Sequence, residues 1–113
     1  MGVFDGSSNS GQASPDEISR EELEAGLKVG ALALVDVREV NEFEAGHVPG
    51  SVNLPLSRFE PSALPTDKPV VLICRSGGRS AKALGRARDA GVAAARHYRG
   101  GVIGWANAGG ELV

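Results

Sequence analysis

The chain holds a single cysteine, Cys74, and the residues around it define what chemistry it could support. Ile73-Cys74-Arg75-Ser76-Gly77-Gly78-Arg79-Ser80 leads from a run of aliphatic side chains, through a glycine pair, into a stretch of helical composition. Gly77 and Gly78 let the backbone take positive φ angles, so that successive N–H groups can turn inward on one anion. A helix beginning near Ser80 would add unpaired N–H groups and its positive dipole end to the same place. Surroundings of this kind lower a thiol's pKa from about 8.5 by two units or more, which changes a minor thiolate fraction at pH 7 into the majority. Cys74 is therefore a candidate nucleophile, with Arg75, Ser76, Gly77, Gly78, Arg79 and Ser80 as a candidate cradle for an anionic substrate.

A cysteine that follows four aliphatic residues is also a good small core residue. Two features speak against packing alone. The next five residues carry no large apolar side chain, two being Gly and two Arg. Arg79 and Lys82 also stand at the positive end of the expected helix, an unfavourable place for cations unless an anion is bound there.

Delivering such a loop requires a buried strand. Residues 70–73 are four consecutive aliphatics, three of them β-branched, entered at Pro69. In open parallel sheets ligands bind at the carboxyl ends of strands, where Cys74 would lie. Residues 31–35 form a second apolar run without polar alternation, which predicts a strand buried on both faces. Ahead of it, Ser19 and Glu22 have capping-box spacing, Ile18 and Leu23 that of a hydrophobic staple, and Gly30 is placed to end the helix. Further along, residues 40–45 predict a short helix closed by Gly46, and 51–54 a brief extended piece. Pro61 and Pro65 punctuate a connector with room for one helical turn. Residues 80–90 predict a helix stopped by Gly91, residues 93–99 a weakly signalled last strand, and 102–108 a helix around Trp105. Alternating helices and short apolar strands imply an α/β layer structure with a mainly parallel sheet.

Of the chain's 113 residues, 1–15 read as a flexible polar tail, leaving 16–113 as one domain. A domain of that size buries roughly 65% of the surface of its unfolded chain. A lone cysteine excludes an internal disulfide, and two histidines fifty residues apart, His47 and His97, make no zinc site, so neither metal nor cofactor is expected. The net charge of −2 conceals a division: residues 1–69 hold 5 basic and 12 acidic side chains, whereas 70–99 hold 7 basic and only Asp89. That local excess predicts affinity for an anion. Sparse aromatics, at 4%, and the lack of a contiguous arginine-rich run argue against nucleic acid. With no apolar run of about 18 residues and no signal-peptide pattern, the expectation is a soluble cytoplasmic protein.

Cys74-Arg75-Ser76-Gly77-Gly78-Arg79-Ser80 resembles the active-site loop of the rhodanese family of single-domain sulfurtransferases. Val35-Asp36-Val37-Arg38 with Glu42-Phe43 and residues 46–53 (GHVPGSVN) resembles that family's upstream motif, and Gly100-Gly101-Val102-Ile103 with Trp105 its C-terminal signature. The resemblance implies a rhodanese-like fold, a five-stranded mainly parallel sheet flanked by helices on both faces. It also implies a persulfide on Cys74, loaded by a small anionic donor such as thiosulfate. The sulfur would pass to cyanide, to a thiol such as glutathione, or to a thioredoxin-like or other sulfur-accepting protein. Arg75 and Arg79 would attract the donor, and Ser80 would cap the helix or donate its hydroxyl to the sulfur. Asp36 and Arg38 are supporting residues, read as a structural ion pair or loop anchor. His47 reads as a hydrogen-bonded turn residue, His97 as a strand or surface residue, and Trp105 as core. Two other readings are a non-catalytic rhodanese-like module and a phosphatase or arsenate reductase. The related phosphatase loop has Cys, five residues, then Arg, whereas Arg79 comes after four.

Overall fold

The computed structural model describes residues 15–113, so the expected tail lies outside the described residues except for Pro15. Strands β1 Ala33–Asp36, β2 Val52–Asn53, β3 Val70–Ile73 and β4 Arg96–His97 form one parallel sheet in the order β2-β1-β3-β4. Helices α1 Arg20–Val29, α2 Val40–Ala45, α3 Gly78–Asp89 and α4 Gly101–Asn107 alternate with them, and the connector before β3 makes two 3-10 turns, Leu56–Arg58 and Pro61–Ala63. Among the described residues no helix is long and apolar enough to cross a membrane.

The two central strands explain the uninterrupted apolar runs, because alternate side chains enter different cores. Val35, Val70, Leu72 and Cys74 pack against Ala83, Leu84 and Ala87 of α3, with Phe59 and Leu64 from the connector. Leu34, Val71 and Ile73 face the other way, onto Leu23 of α1 and Val102 and Trp105 of α4. Helices thus cover both faces.

The expected fifth strand is reduced to one parallel bridge between Glu17 and His97. Ile18 N–H reaches His97 O at 3.1 Å and His97 N–H reaches Asp16 O at 2.9 Å. The ladder stops there because Ser19 already caps α1, its Oγ accepting Glu22 N–H at 3.1 Å. Only that half of the predicted capping box forms; the Glu22 carboxylate turns to Arg96, at 2.9 and 3.2 Å. Ile18 and Leu23 share one core, as a staple requires. β4 spans two residues rather than seven, since the preceding alanines turn tightly, with Ala93 N–H on Gly91 O at 3.0 Å. α3 begins at Gly78, two residues before the predicted start.

Candidate active site

Cys74 follows β3 directly and is 1% exposed. The chain then turns sharply at Gly77, whose φ of +104° is open to glycine, and α3 starts. This turn brings Gly77 N–H to 3.1 Å from Cys74 Sγ and Ser80 Oγ to 3.6 Å. Burial pushes the thiol's pKa up, but the Ser80 hydroxyl and the N–H groups of Ser80, Gly77 and Ser76 outweigh it, leaving the pKa below its ordinary value.

The loop is held from behind by the C-terminal segment. Tyr98 N–H binds Leu72 O at 2.9 Å, Val102 N–H binds Cys74 O at 2.9 Å, and Ile103 N–H binds Arg75 O at 3.2 Å. Gly101 has φ +68°, and a Cβ there would sit 2.2 Å from Arg75 O. The Gly100-Gly101-Val102 motif therefore serves the cysteine loop, letting one backbone lie directly against another.

The remaining residues singled out from the sequence fall into separate roles. Arg75, Ser76 and Gly78 are exposed at the loop surface. Arg79 is held by Glu42 of α2, Nη1 on Oε1 at 2.6 Å and Nη2 on Oε2 at 2.9 Å. The Arg79 guanidinium, helped by Glu39 N–H and Arg38, pulls the Glu42 pKa down to about 2 against the opposing effect of burial. The anion predicted at the start of α3 is thus partly the protein's own carboxylate. Ser80 does not cap α3: it lies inside the first turn, fully buried, with Oγ donating to Gly77 O at 3.2 Å or facing the cysteine sulfur. Asp36 and Arg38 form a buried fork, Arg38 Nε lying 3.0 Å from both carboxylate oxygens and Nη2 2.8 Å from Oδ2. Arg38 Nη2 also donates to Gly46 O at 2.7 Å, and Asn53 Nδ2 to the carbonyls of Asp36 and Arg38 at 2.9 Å each. The pair braces β1, β2 and the end of α2. Arg38 and Arg75, with Val102, Ile103, Ala106 and Leu112, line a cleft of about 410 Å³.

Two residues carry more than the sequence suggested. Glu42 was visible only as part of a motif, and nothing indicated that it would meet Arg79, 37 positions away. His97 is 6% exposed, and its Nδ1 lies 2.9 Å from Ser80 Oγ. Its one signal was its place three residues before Gly100, meaningless until the register Leu72↔His97 is known. Burial holds the His97 pKa below its usual value against the opposing charges of Glu17 and Asp16. His47 stacks on Phe43, ring centres 3.8 Å apart, with Nδ1 2.8 Å from Phe43 O, and Trp105 is buried in the core with Nε1–H on Glu111 O at 2.9 Å. The basic segment is largely answered internally, because Arg79, Arg88, Arg96 and Arg99 pair with Glu42, Asp16, Glu22 and Glu17.

The chain is similar to several known proteins. A Synechocystis protein described as uncharacterized is 47% identical over 81 residues, covering 70% of this chain and 45% of its own. The chain therefore spans less than half the length of that relative. The human thiosulfate:glutathione sulfurtransferase is 33% identical over 104 residues, covering 78% of this chain and 90% of its own. Among solved structures, a rhodanese-related protein of Thermoplasma volcanium superposes with a TM-score of 0.77 at 31% identity, covering 86% of this chain and 96% of that one. The rhodanese-like domain model matches residues 19–108, which includes the cysteine loop, the Asp36–Arg38 pair and the C-terminal glycines, and the chain belongs to the rhodanese-like family, whose members include sulfurtransferases.

Proposed function

We propose that this protein transfers a sulfane sulfur from an anionic donor such as thiosulfate to a thiol or cyanide acceptor, through a persulfide on Cys74. The Cys74 thiolate attacks the outer sulfur of thiosulfate, the S–S bond breaks, and its electron pair leaves with sulfite. The acceptor then attacks the terminal persulfide sulfur, and the electron pair of that S–S bond returns to Cys74. Both displacements balance without metal, cofactor or external oxidant, and together they form a two-step covalent cycle.

The observation that carries this reading is the recessed Cys74 sulfur, with Gly77 N–H at 3.1 Å and the Ser80 hydroxyl at 3.6 Å. These donors stabilise negative charge on sulfur, as an oxyanion hole does on oxygen. Ser76, Gly77 and Gly78 supply the turning backbone, Arg75 the charge that draws the donor in, and Asp36 and Arg38 the support beneath. The human relative's name couples thiosulfate to glutathione, so this pair is the first donor and acceptor to assay. A reducing compartment such as the cytoplasm keeps such a thiol available. A phosphatase reading suits the site less well, because Arg79 commits both terminal nitrogens to Glu42 and is not free to clamp a phosphate.

Intact-protein mass spectrometry after thiosulfate exposure tests the proposal. Wild type should gain one sulfur atom, lose it to cyanide as thiocyanate, and Cys74→Ser should gain none. No gain on wild type refutes the enzyme and leaves an inert module; the same gain on Cys74→Ser moves the chemistry elsewhere. Aryl phosphate hydrolysis that depends on Cys74, without sulfur transfer, would establish the phosphatase reading instead.

A further inference from the structure

The Ser80 hydroxyl carries one proton and faces three possible acceptors: Gly77 O at 3.2 Å, Cys74 Sγ at 3.6 Å, and His97 Nδ1 at 2.9 Å. The shortest of these contacts is the one to histidine. If His97 Nδ1 lacks a proton, it takes the Ser80 hydrogen, and the hydroxyl presents only lone pairs to the sulfur. That suits a thiol, which can donate, and opposes a thiolate. If His97 carries its proton on Nδ1, the imidazole donates to Ser80 Oγ and the serine hydrogen is released toward Gly77 O or the sulfur. A negatively charged sulfur then holds it, since hydrogen bonds to ions are about twice as strong as neutral ones.

We infer that His97 is a positioning residue for the sulfur chemistry, its Nδ1–H holding the Ser80 hydroxyl so that its proton points at the anionic sulfur of Cys74. The inference rests on Cys74 as the reacting group but on no particular sulfur donor. The arrangement follows from strand register. Leu72 pairs with His97 across β3 and β4, and Cys74 lies two residues beyond Leu72, so the imidazole and the thiol approach Ser80 from adjacent strands. A neutral His97 suffices, because one ring N–H is all the relay needs. The charged groups acting on His97 are Glu17 and Asp16 of the bridging segment, which favour its charged form, and Arg99 after β4 and Arg88 of α3, which oppose it. Those near Cys74 and its loop include Arg79 of α3, itself answered by Glu42 of α2, and Asp36 of β1. None of these groups touches the Ser80 hydroxyl, which leaves His97 as the side chain that can orient it.

The test measures the pH midpoint of Cys74 alkylation by iodoacetamide, in the folded protein and with no sulfur donor present. His97→Leu should raise the midpoint by about one pH unit, the size expected when one hydrogen bond to the thiolate is lost. His97→Asn, whose amide nitrogen can occupy the Nδ1 position and donate, should return it toward wild type. In a Ser80→Ala background the same His97 changes should leave the midpoint unmoved. A shift of equal size with and without Ser80 refutes the relay, as does an unshifted midpoint in folded His97→Leu. Should His97→Leu fail to fold, the wild-type imidazole answers the question by 15N NMR. Above the Cys74 midpoint Nδ1 should carry the proton, and an Nε2–H tautomer in the thiolate state overturns the inference. Failure of persulfide formation would leave these readings intact, so the two proposals fail separately.

Discussion

Gly101→Ala should damage both the fold and the thiol, and its cost can be worked from the contacts. At φ +68° an L side chain costs about 1–2 kcal/mol of backbone strain. The new Cβ would lie 2.2 Å from Arg75 O, 2.5 Å from Arg75 C and 2.7 Å from Ser76 N. Ordinary contact begins near 3.4 Å, so the loop or the start of α4 must retreat by more than an ångström. That movement breaks the bonds from Val102 N–H to Cys74 O and from Ile103 N–H to Arg75 O, each contributing about 1 kcal/mol net. The expected loss is about 3–4 kcal/mol, or a Tm lower by roughly 15–25 °C for a domain of this size. Gly109→Ala is the matched control: φ is +92°, yet nothing lies within 4 Å of the Cβ position, so only strain of about 1–2 kcal/mol applies. Urea unfolding followed by circular dichroism would give both values, and the Cys74 alkylation rate at fixed pH would report on the loop. Gly101→Ala should slow alkylation while Gly109→Ala leaves it unchanged. Equal destabilisation by the two alanines, or an unaltered thiol in Gly101→Ala, would refute the claim that Gly101 exists to admit the cysteine loop.

Two further outcomes concern charge. Glu42 has its pKa lowered from 4.5 to about 2 in the fold, so its pairing with Arg79 contributes stability in full above about pH 4.5 and loses it as pH falls toward 2. Wild type should therefore weaken more steeply than Glu42→Gln over that window in urea titrations, by about 1 kcal/mol, since the pair is about one-third exposed and screened by solvent. Parallel curves would show that the pair contributes nothing. Arg75 is exposed at the loop and enters no ion pair seen among the described residues, so Arg75→Ala should raise KM for thiosulfate several-fold and flatten the fall of kcat/KM with salt. A salt dependence unchanged by the substitution would place the attracting charge elsewhere.

The legible parts of the sequence were those where one local rule decides. The β-branched run at 70–73, the staple of Ile18 and Leu23, the helix at 40–45 and the thiol at a strand's carboxyl end each depend on neighbours within a few positions, and each appears where local chemistry puts it. The parts that were not legible depend on register. Ser80 reads equally as a helix cap or as a hydroxyl donor to the sulfur, and local sequence does not choose; the turn at Gly77 moves the helix start two residues back, which removes the cap and buries the hydroxyl beside sulfur. Glu22 looked like the second half of a capping box until β4 brought Arg96 within 2.9 Å. His97 looked like a strand or surface residue because residues 93–95 are alanines with weak strand preference, so nothing said which face of β4 it would take.

The same dependence on register explains what became of the basic segment. As sequence, an excess of arginine over 70–99 against acid over 1–69 suggests a field aimed at an external anion. In the fold, four of those seven basic residues face acidic side chains of the bridging segment, α1 and α2. Much of the field is thereby spent between elements, and what remains near Cys74 is mostly fixed N–H groups and the exposed Arg75. Fixed dipoles suit the proposed cycle, in which the anion would pass from thiolate to persulfide and back while the donors stay in place. A mobile guanidinium would have to follow it. That fits a loop braced by backbone from residues 98–103 as well as by the Arg79–Glu42 pair, and makes the glycines that permit the backbone bracing part of the proposed site.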